Sequence, residues 1–115
     1  MLDEAVAIPA GFRERLRHTL DRATEFAERV AAEGALEDNA RKAASGLYHI
    51  TSAVLMAWEA SRAADARRAL YARLVLDHRL GVQDPLAVDA NEDGAIELLL
   101  SDRDVSLGDV VALLA

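Results

Sequence analysis

The residues whose spacing comes nearest to a known chemistry lie in the C-terminal third of the chain. Asp89, Asn91 and Asp93 occupy alternate positions and a glycine follows them, which matches positions 1, 3, 5 and 6 of a calcium-binding loop. Position 12 of such a loop supplies a bidentate carboxylate, and here it is Leu100. Because that missing ligand would remove two oxygens at once, the main interpretation is an acidic turn. A calcium site over residues 89–97 is the weaker alternative.

Other side chains that could do chemistry are scattered along the sequence. His18, His49 and His78 lie on three different predicted helices, which favours separate core or boundary residues over a shared metal site. The hydroxyl residues lack the glycine-flanked turn of a nucleophile, and there is no glycine-rich phosphate loop. There are no cysteines, which excludes thiol catalysis and thiolate metal sites. No catalytic or cofactor-binding residue is therefore predicted.

Helices must position these residues. The chain has 115 residues, of which 52% are hydrophobic and only 4% aromatic, and this composition is typical of a packed helical bundle in one domain, residues 1–115. Apolar residues recur at alternating steps of four and three in the first two predicted helices, and Gly34 supplies a stop between them. The predicted main helices cover residues 10–33, 35–63 and 65–80. With an acidic helical segment over 81–115, the expected fold is an all-α, antiparallel up-and-down four-helix bundle whose last helix is shorter and interrupted.

The third predicted helix is apolar on every side of its axis. Such a helix must be covered all round, either by the chain's own tail or by another protein surface. The predicted core or contact residues are Leu70, Tyr71, Leu74, Leu76 and Trp58. Trp58 and Tyr71, with Tyr48, could also line a ligand groove, although aromatic residues at helical spacing usually belong to the core.

Charge is unevenly distributed. Residues 1–80 hold equal numbers of acids and bases, whereas residues 81–115 hold eight acids and one base, Arg103, which accounts for the net charge of −7. An acidic tail on a neutral body excludes nucleic acid and anionic membrane surfaces as expected partners. The arginines of the third helix predict a solvated surface, with Arg73 spaced to pair with Asp77.

The sequence also shows no targeting or membrane signal. Acidic residues lie near the start, where a signal peptide carries positive charge, and the most apolar run is far too short to span a bilayer. We therefore expect a cytoplasmic location.

The stretch from Glu37 to Leu86 carries a resemblance to a known family. Its recognisable parts are the helix that ends in the letters WEA, the run DARRALYARLVLDHRL, and the DPL that follows. They resemble the extra helical segment at the C-terminus of a subset of bacterial acyl-CoA dehydrogenases. The resemblance implies an accessory domain that follows the catalytic bundle of an FAD-dependent enzyme oxidising acyl-CoA thioesters. It transfers no catalytic or flavin-contacting residue to this chain.

The first functional interpretation is thus a non-catalytic C-terminal accessory domain of an acyl-CoA dehydrogenase-like flavoprotein, acting in domain packing or subunit contacts. FAD and the oxidoreductase activity would belong to the parent enzyme, and this chain is expected to hold no cofactor. Its partners would be the rest of that flavoenzyme or a second copy of itself. The alternative is a free-standing helical-bundle module for protein interaction, and the weakest hypothesis is the calcium-binding loop over 89–97.

Overall fold

The computed structural model is all-helical, which confirms the predicted fold class. It describes residues 1–34, 37–63, 65–82 and 84–115, and none of these forms a strand. The helices are α1 (Ala10–Ala32), α2 (Glu37–Arg62), α3 (Arg67–Val75), α4 (Ala90–Leu100) and α5 (Leu107–Val111). A π-helical turn, Leu76–Leu80, prolongs α3, and 3-10 turns cover Leu2–Glu4 and Ala112–Leu114. Among the described helices, none combines the length and the apolar run that a bilayer span requires.

The bounds of α1 and α2 agree with the sequence prediction to within two residues, and the predicted start of the second helix at positions 35 and 36 lies outside the described residues. α1 ends at Ala32, and Gly34 follows with a φ of 59°. A glycine adopts this left-handed conformation without the strain that a Cβ would introduce. Glu4 contacts both Trp58 and Arg62, so the end of α2 lies beside the start of the chain, as in an antiparallel pair.

α2 lies at the centre of the molecule, since it packs against α1 on one side and against α3 on the other. Ile50, Ala53 and Ala57 on α2 are fully buried, and Phe12 and Leu16 of α1 are buried with them. The small alanine side chains let the neighbouring helices approach closely. Each large side chain removed from water in this way stabilises the fold by about 1.5–3 kcal/mol.

The residues before α1 also belong to the core. Leu2, Ala5 and Ile8 are buried in the same cluster as the helix residues. Pro9 separates this segment from α1, which begins at Ala10. The sequence analysis assigned no role to these residues, because a short non-helical segment carries no periodic pattern that reveals its buried face.

The acidic tail covers part of the surface of α3 that α2 leaves open. α4, α5 and the last 3-10 turn all pack against α3. Ala95, Val105, Val110 and Leu114 of the tail are buried in the common core, and the Ala66 amide donates a hydrogen bond of 2.6 Å to the Val105 carbonyl. Of the two coverings that the apolar pattern left open, the structure contains the intramolecular one. The tail residues therefore supply burial of α3 that an outside protein surface would otherwise have to provide.

Candidate functional site

A groove of about 560 Å³ lies at the corner where α2 ends and α3 begins. Trp58 on α2 and Tyr71 on α3 both line it. The other side chains that line the groove are Glu59, Arg62, Ala63, Asp65, Arg67 and Arg68.

Trp58 is half-buried and is held from two directions. Its indole N–H donates a hydrogen bond of 3.3 Å to Oε2 of Glu4. The Arg62 guanidinium lies over the indole, 4.8 Å from the ring centroid, and pairs with the same Glu4 carboxylate at 3.5 Å. A cation above an aromatic face is attracted by the ring's quadrupole. The indole is therefore already oriented before anything enters the groove.

Tyr71 forms the other aromatic side of the groove and is 44% exposed. Arg68, one turn earlier on α3, is exposed and pairs with Glu59 of α2. Arg67 is anchored instead to the tail, because its Nη2 donates to the carbonyls of Ser101 at 3.2 Å and Arg103 at 2.8 Å. The groove thus has a rigid frame with two exposed arginines, Arg62 and Arg68, at its rim.

The composition of the groove fits recognition better than catalysis. Tryptophan, tyrosine and arginine are the residue types that are enriched at protein interfaces and in their energetic hot spots. One carboxylate that lines the groove, that of Glu59, is already paired with Arg68. A catalytic site needs a nucleophile beside a base, and none of the described side chains lining this groove forms that pair.

The five predicted core or contact residues differ in how far the fold buries them. Leu70 and Leu76 are buried in the core, whereas Leu74 and Trp58 are half-buried and Tyr71 is exposed. Trp58 and Tyr71 come together in the groove, as the groove hypothesis required. Tyr48, the third aromatic of that hypothesis, is exposed on α2 and packs edge-on against His49 at 5.2 Å rather than lining the groove.

The segment predicted as a weak calcium loop is a helix. Asp89 caps α4 by accepting the Glu92 amide N–H at 3.1 Å, and Asn91 and Asp93 lie in the first turn. A calcium loop needs a chain that curls so that alternate side chains converge on the ion, whereas helical side chains two positions apart point in different directions. The helical backbone from Ala90 to Leu100 therefore differs from the curled loop that the calcium hypothesis for residues 89–97 assumes, and calcium binding stays a prediction.

Asp89 belongs instead to a cluster that the sequence did not predict. Carboxylate oxygens of Asp77, Asp89 and Glu92 lie within 4.8 Å of one another. Arg73, only 3% exposed, donates from Nη2 to Oδ2 of Asp89 at 2.6 Å and lies 3.7 Å from Asp77. His78 Nε2 lies 2.7 Å from Glu92 Oε1. Arg73 on α3 binds Asp89, which caps α4, and His78 in the turn after α3 lies against Glu92 of α4. These contacts connect the end of α3 to the start of α4.

Arg73 corrects the prediction of a solvated arginine surface on the third helix. It is buried, and its predicted pairing with Asp77 is a 3.7 Å contact secondary to the shorter bond with Asp89. Its Nε and Nη1 atoms have no hydrogen-bond partner among the described residues. The residues near Arg73 in sequence did not indicate its burial, because its main partner, Asp89, follows sixteen residues later at the start of a different helix.

Two helix caps in the tail carry perturbed carboxyl groups. The Glu92 backbone N–H, together with the Arg73 guanidinium, holds the pKa of Asp89 below its ordinary value. The Ser106 backbone N–H and hydroxyl hold the pKa of Asp109 below its ordinary value, within a reciprocal capping box that starts α5. Hydrogen bonds to the charged form favour that form, so both carboxylates stabilise the folded tail when ionised.

Comparison with protein-family models, with curated proteins and with solved structures finds no match to this chain. The resemblance of Glu37–Leu86 to the C-terminal segment of certain acyl-CoA dehydrogenases therefore stays a prediction. The residues that carry it nevertheless have a common place in the fold. The letters WEA begin at Trp58 and the letters DARRALY end at Tyr71, so both stretches contribute side chains to the groove.

Proposed function

We propose that this chain is a non-catalytic helical domain that acts through protein–protein contact at the groove. The observation that carries the proposal is the 44% exposure of Tyr71 beside the half-buried Trp58 and two exposed arginines, although Leu70, next to Tyr71 on α3, is completely buried. Aromatic side chains of this size supply most of the binding energy where they are enclosed by a partner.

Pre-organisation supports this role. Glu4 and Arg62 already hold the Trp58 indole, and Tyr71 projects from a helix. Docking onto such side chains costs little conformational entropy, because few rotamers remain to be lost. The rim arginines favour a partner that brings an apolar side chain accompanied by a carboxylate.

We infer from the sequence resemblance that the domain belongs to a larger acyl-CoA dehydrogenase-like flavoprotein, and we call this the wider context. The groove residues lie within the stretches that resemble the accessory segment of acyl-CoA dehydrogenases. In that context the domain would make packing or subunit contacts for an FAD-dependent parent enzyme, which alone would perform the oxidation. A free-standing interaction module would use the same groove and would differ in having no flavoprotein attached.

A site-specific photo-crosslinking experiment in the source cells tests the contact. A photoreactive phenylalanine analogue at position 71 is expected to yield a discrete covalent adduct, whereas the same analogue at position 48 is not, since Tyr48 is exposed outside the groove. Equal yields at both positions, or no adduct at 71, would contradict the proposal.

The size of the native polypeptide tests the wider context separately. A species several times heavier than 12.4 kDa with flavin absorbance is expected from the resemblance. A free 12.4 kDa species would remove the flavoenzyme context and leave the contact function of the groove intact.

A further inference from the structure

The connection between α3 and α4 exposes apolar side chains to an unusual degree. Val82 is wholly exposed, Leu86 is 88% exposed and Val88 is 92% exposed. We call Val82 together with residues 84–88 the apolar loop. Single exposed apolar residues are ordinary, whereas three in one short connection make it a candidate contact surface.

The part of the apolar loop from Asp84 to Ala87 forms a hydrogen-bonded turn. The carboxylate of Asp84 accepts the Leu86 amide N–H at 2.9 Å, and the Asp84 carbonyl accepts the Ala87 amide N–H at 3.1 Å. Pro85 between them has a fixed φ, which favours the same turn. Leu86 is therefore presented on a closed turn with an acidic residue two positions before it.

We propose that the apolar loop of one copy of this chain docks into the groove of a second copy. This inference rests on the proposed function, because it requires the groove to be a contact surface. Leu86 supplies the apolar side chain that Trp58 and Tyr71 would enclose. Asp84 adds a carboxylate beside the exposed Arg62 and Arg68 of the groove rim, which pair with Glu4 and Glu59 of their own chain.

The groove that receives the loop belongs to another molecule, because the loop lies at the wrong end of α3 to reach its own groove. A second copy of this chain offers such a groove. The groove is built at the first turn of α3, where Arg67 and Arg68 lie, whereas the loop follows the last turn, beyond Leu80. At about 1.5 Å per residue, α3 and its π-helical turn separate the two by about 20 Å.

The contact joins two different surfaces and is therefore head-to-tail. Each copy offers one loop and one groove, so association continues until a ring closes or a linear chain forms. A parent enzyme built from several subunits would acquire its subunit contacts in this way.

The intact chain supplies its own reporter, since Trp58 is its one tryptophan. Sedimentation velocity between about 1 µM and 1 mM is expected to show mass growth with concentration, with a parallel blue shift of the tryptophan emission. Leu86→Glu and Tyr71→Asp are each expected to weaken association by about tenfold or more, as for hot-spot residues. Tyr48→Asp, the matched control at an exposed tyrosine outside the groove, is expected to associate like the wild type.

Mixing the two deficient variants gives the decisive result. Leu86→Glu retains a groove and Tyr71→Asp retains a loop, so the mixture is expected to form a one-to-one dimer and nothing larger. A wild-type chain that stays monomeric, single variants that associate normally, or a mixture without dimers would each overturn the inference. Val88→Glu serves as the second loop variant if Leu86→Glu lowers the helical circular dichroism. Crosslinking from position 71 to a different protein, with a monomeric wild type, would reject this inference and leave the proposed function standing.

Discussion

Replacing the buried arginine by methionine is expected to leave the protein as stable as before or to make it more stable. Arg73 is 3% exposed, and only its Nη2 makes a hydrogen bond, to Asp89, while Nε and Nη1 have no hydrogen-bond partner among the described residues. Burying an ion costs several kcal/mol, and an incompletely bonded ion recovers only part of that cost.

The expected change in the free energy of unfolding depends on which contacts and how much apolar volume each variant keeps. In Arg73→Met the apolar volume is kept, Asp89 keeps the Glu92 amide, and Asp77 keeps its 2.8 Å bond to Arg15. No carboxylate is then stranded in the core, so we expect a free energy of unfolding within about 1 kcal/mol of the wild type or above it. Arg73→Ala, which leaves a cavity, is expected to lose about 2–4 kcal/mol.

Urea unfolding at pH 7, followed by circular dichroism, measures both variants. Asp89→Asn is the complementary change, because it keeps a capping oxygen for α4 but leaves Arg73 buried without its nearest counter-charge. We expect this variant to be less stable than Arg73→Met. A loss above about 3 kcal/mol in Arg73→Met, relative to a typical total of about 5–15 kcal/mol, would show that the guanidinium contributes more than its burial costs and would refute the reasoning.

The remaining predictions concern the core, one turn and acid stability. Leu70→Ala is expected to lower the free energy of unfolding by about 2–5 kcal/mol, and its exposed neighbour Tyr71→Ala by less than about 1 kcal/mol; equal losses in urea would contradict their assigned positions. Gly34→Ala forces a side chain into a φ of 59° and is expected to cost about 1 kcal/mol by thermal unfolding; an unchanged melting temperature would argue against that conformation. The pKa values of Asp89 and Asp109 are depressed in the folded state, so their stabilisation is complete above the unfolded value of 3.8 and is lost as the pH falls through the lower folded values. Urea melts from pH 7 to pH 2 are expected to show this loss, and a shallower loss when both residues are asparagine; identical profiles would contradict the prediction.

The long helices could be predicted from sequence because the pattern that indicates them lies within each helix itself. The alternating steps of apolar residues and the glycine at position 34 determine α1 and α2 with no knowledge of tertiary contacts. For α3 the apolar pattern predicted a helix covered on every side, whereas Tyr71 is exposed and the acidic tail covers much of the rest. That covering depends on contacts between Ala66 and Val105, which are distant in sequence.

The candidate sites were harder to predict, since their chemistry depends on where the chain turns. An aspartate that caps a helix with an acidic first turn shares its residue types with a calcium loop, and Leu100 was the one contrary signal around Asp89. Trp58 and Tyr71 were predicted as core or contact residues, and the turn from α2 to α3 decides that they border a groove. The burial of Arg73 depends on Asp89, which approaches only in the folded chain.

The π-helical turn at Leu76–Leu80 has a consequence for how this chain can evolve. Such a turn accommodates one residue more than an α-helical turn does, so a single-codon deletion here would restore ideal helical geometry locally. Because the extra residue is absorbed within the π-helical turn, the residues after it would keep nearly the same orientation about the axis of α3. Arg73 and Asp89 would then remain close enough to pair. We expect related chains to differ by one residue at this turn while keeping that ion pair.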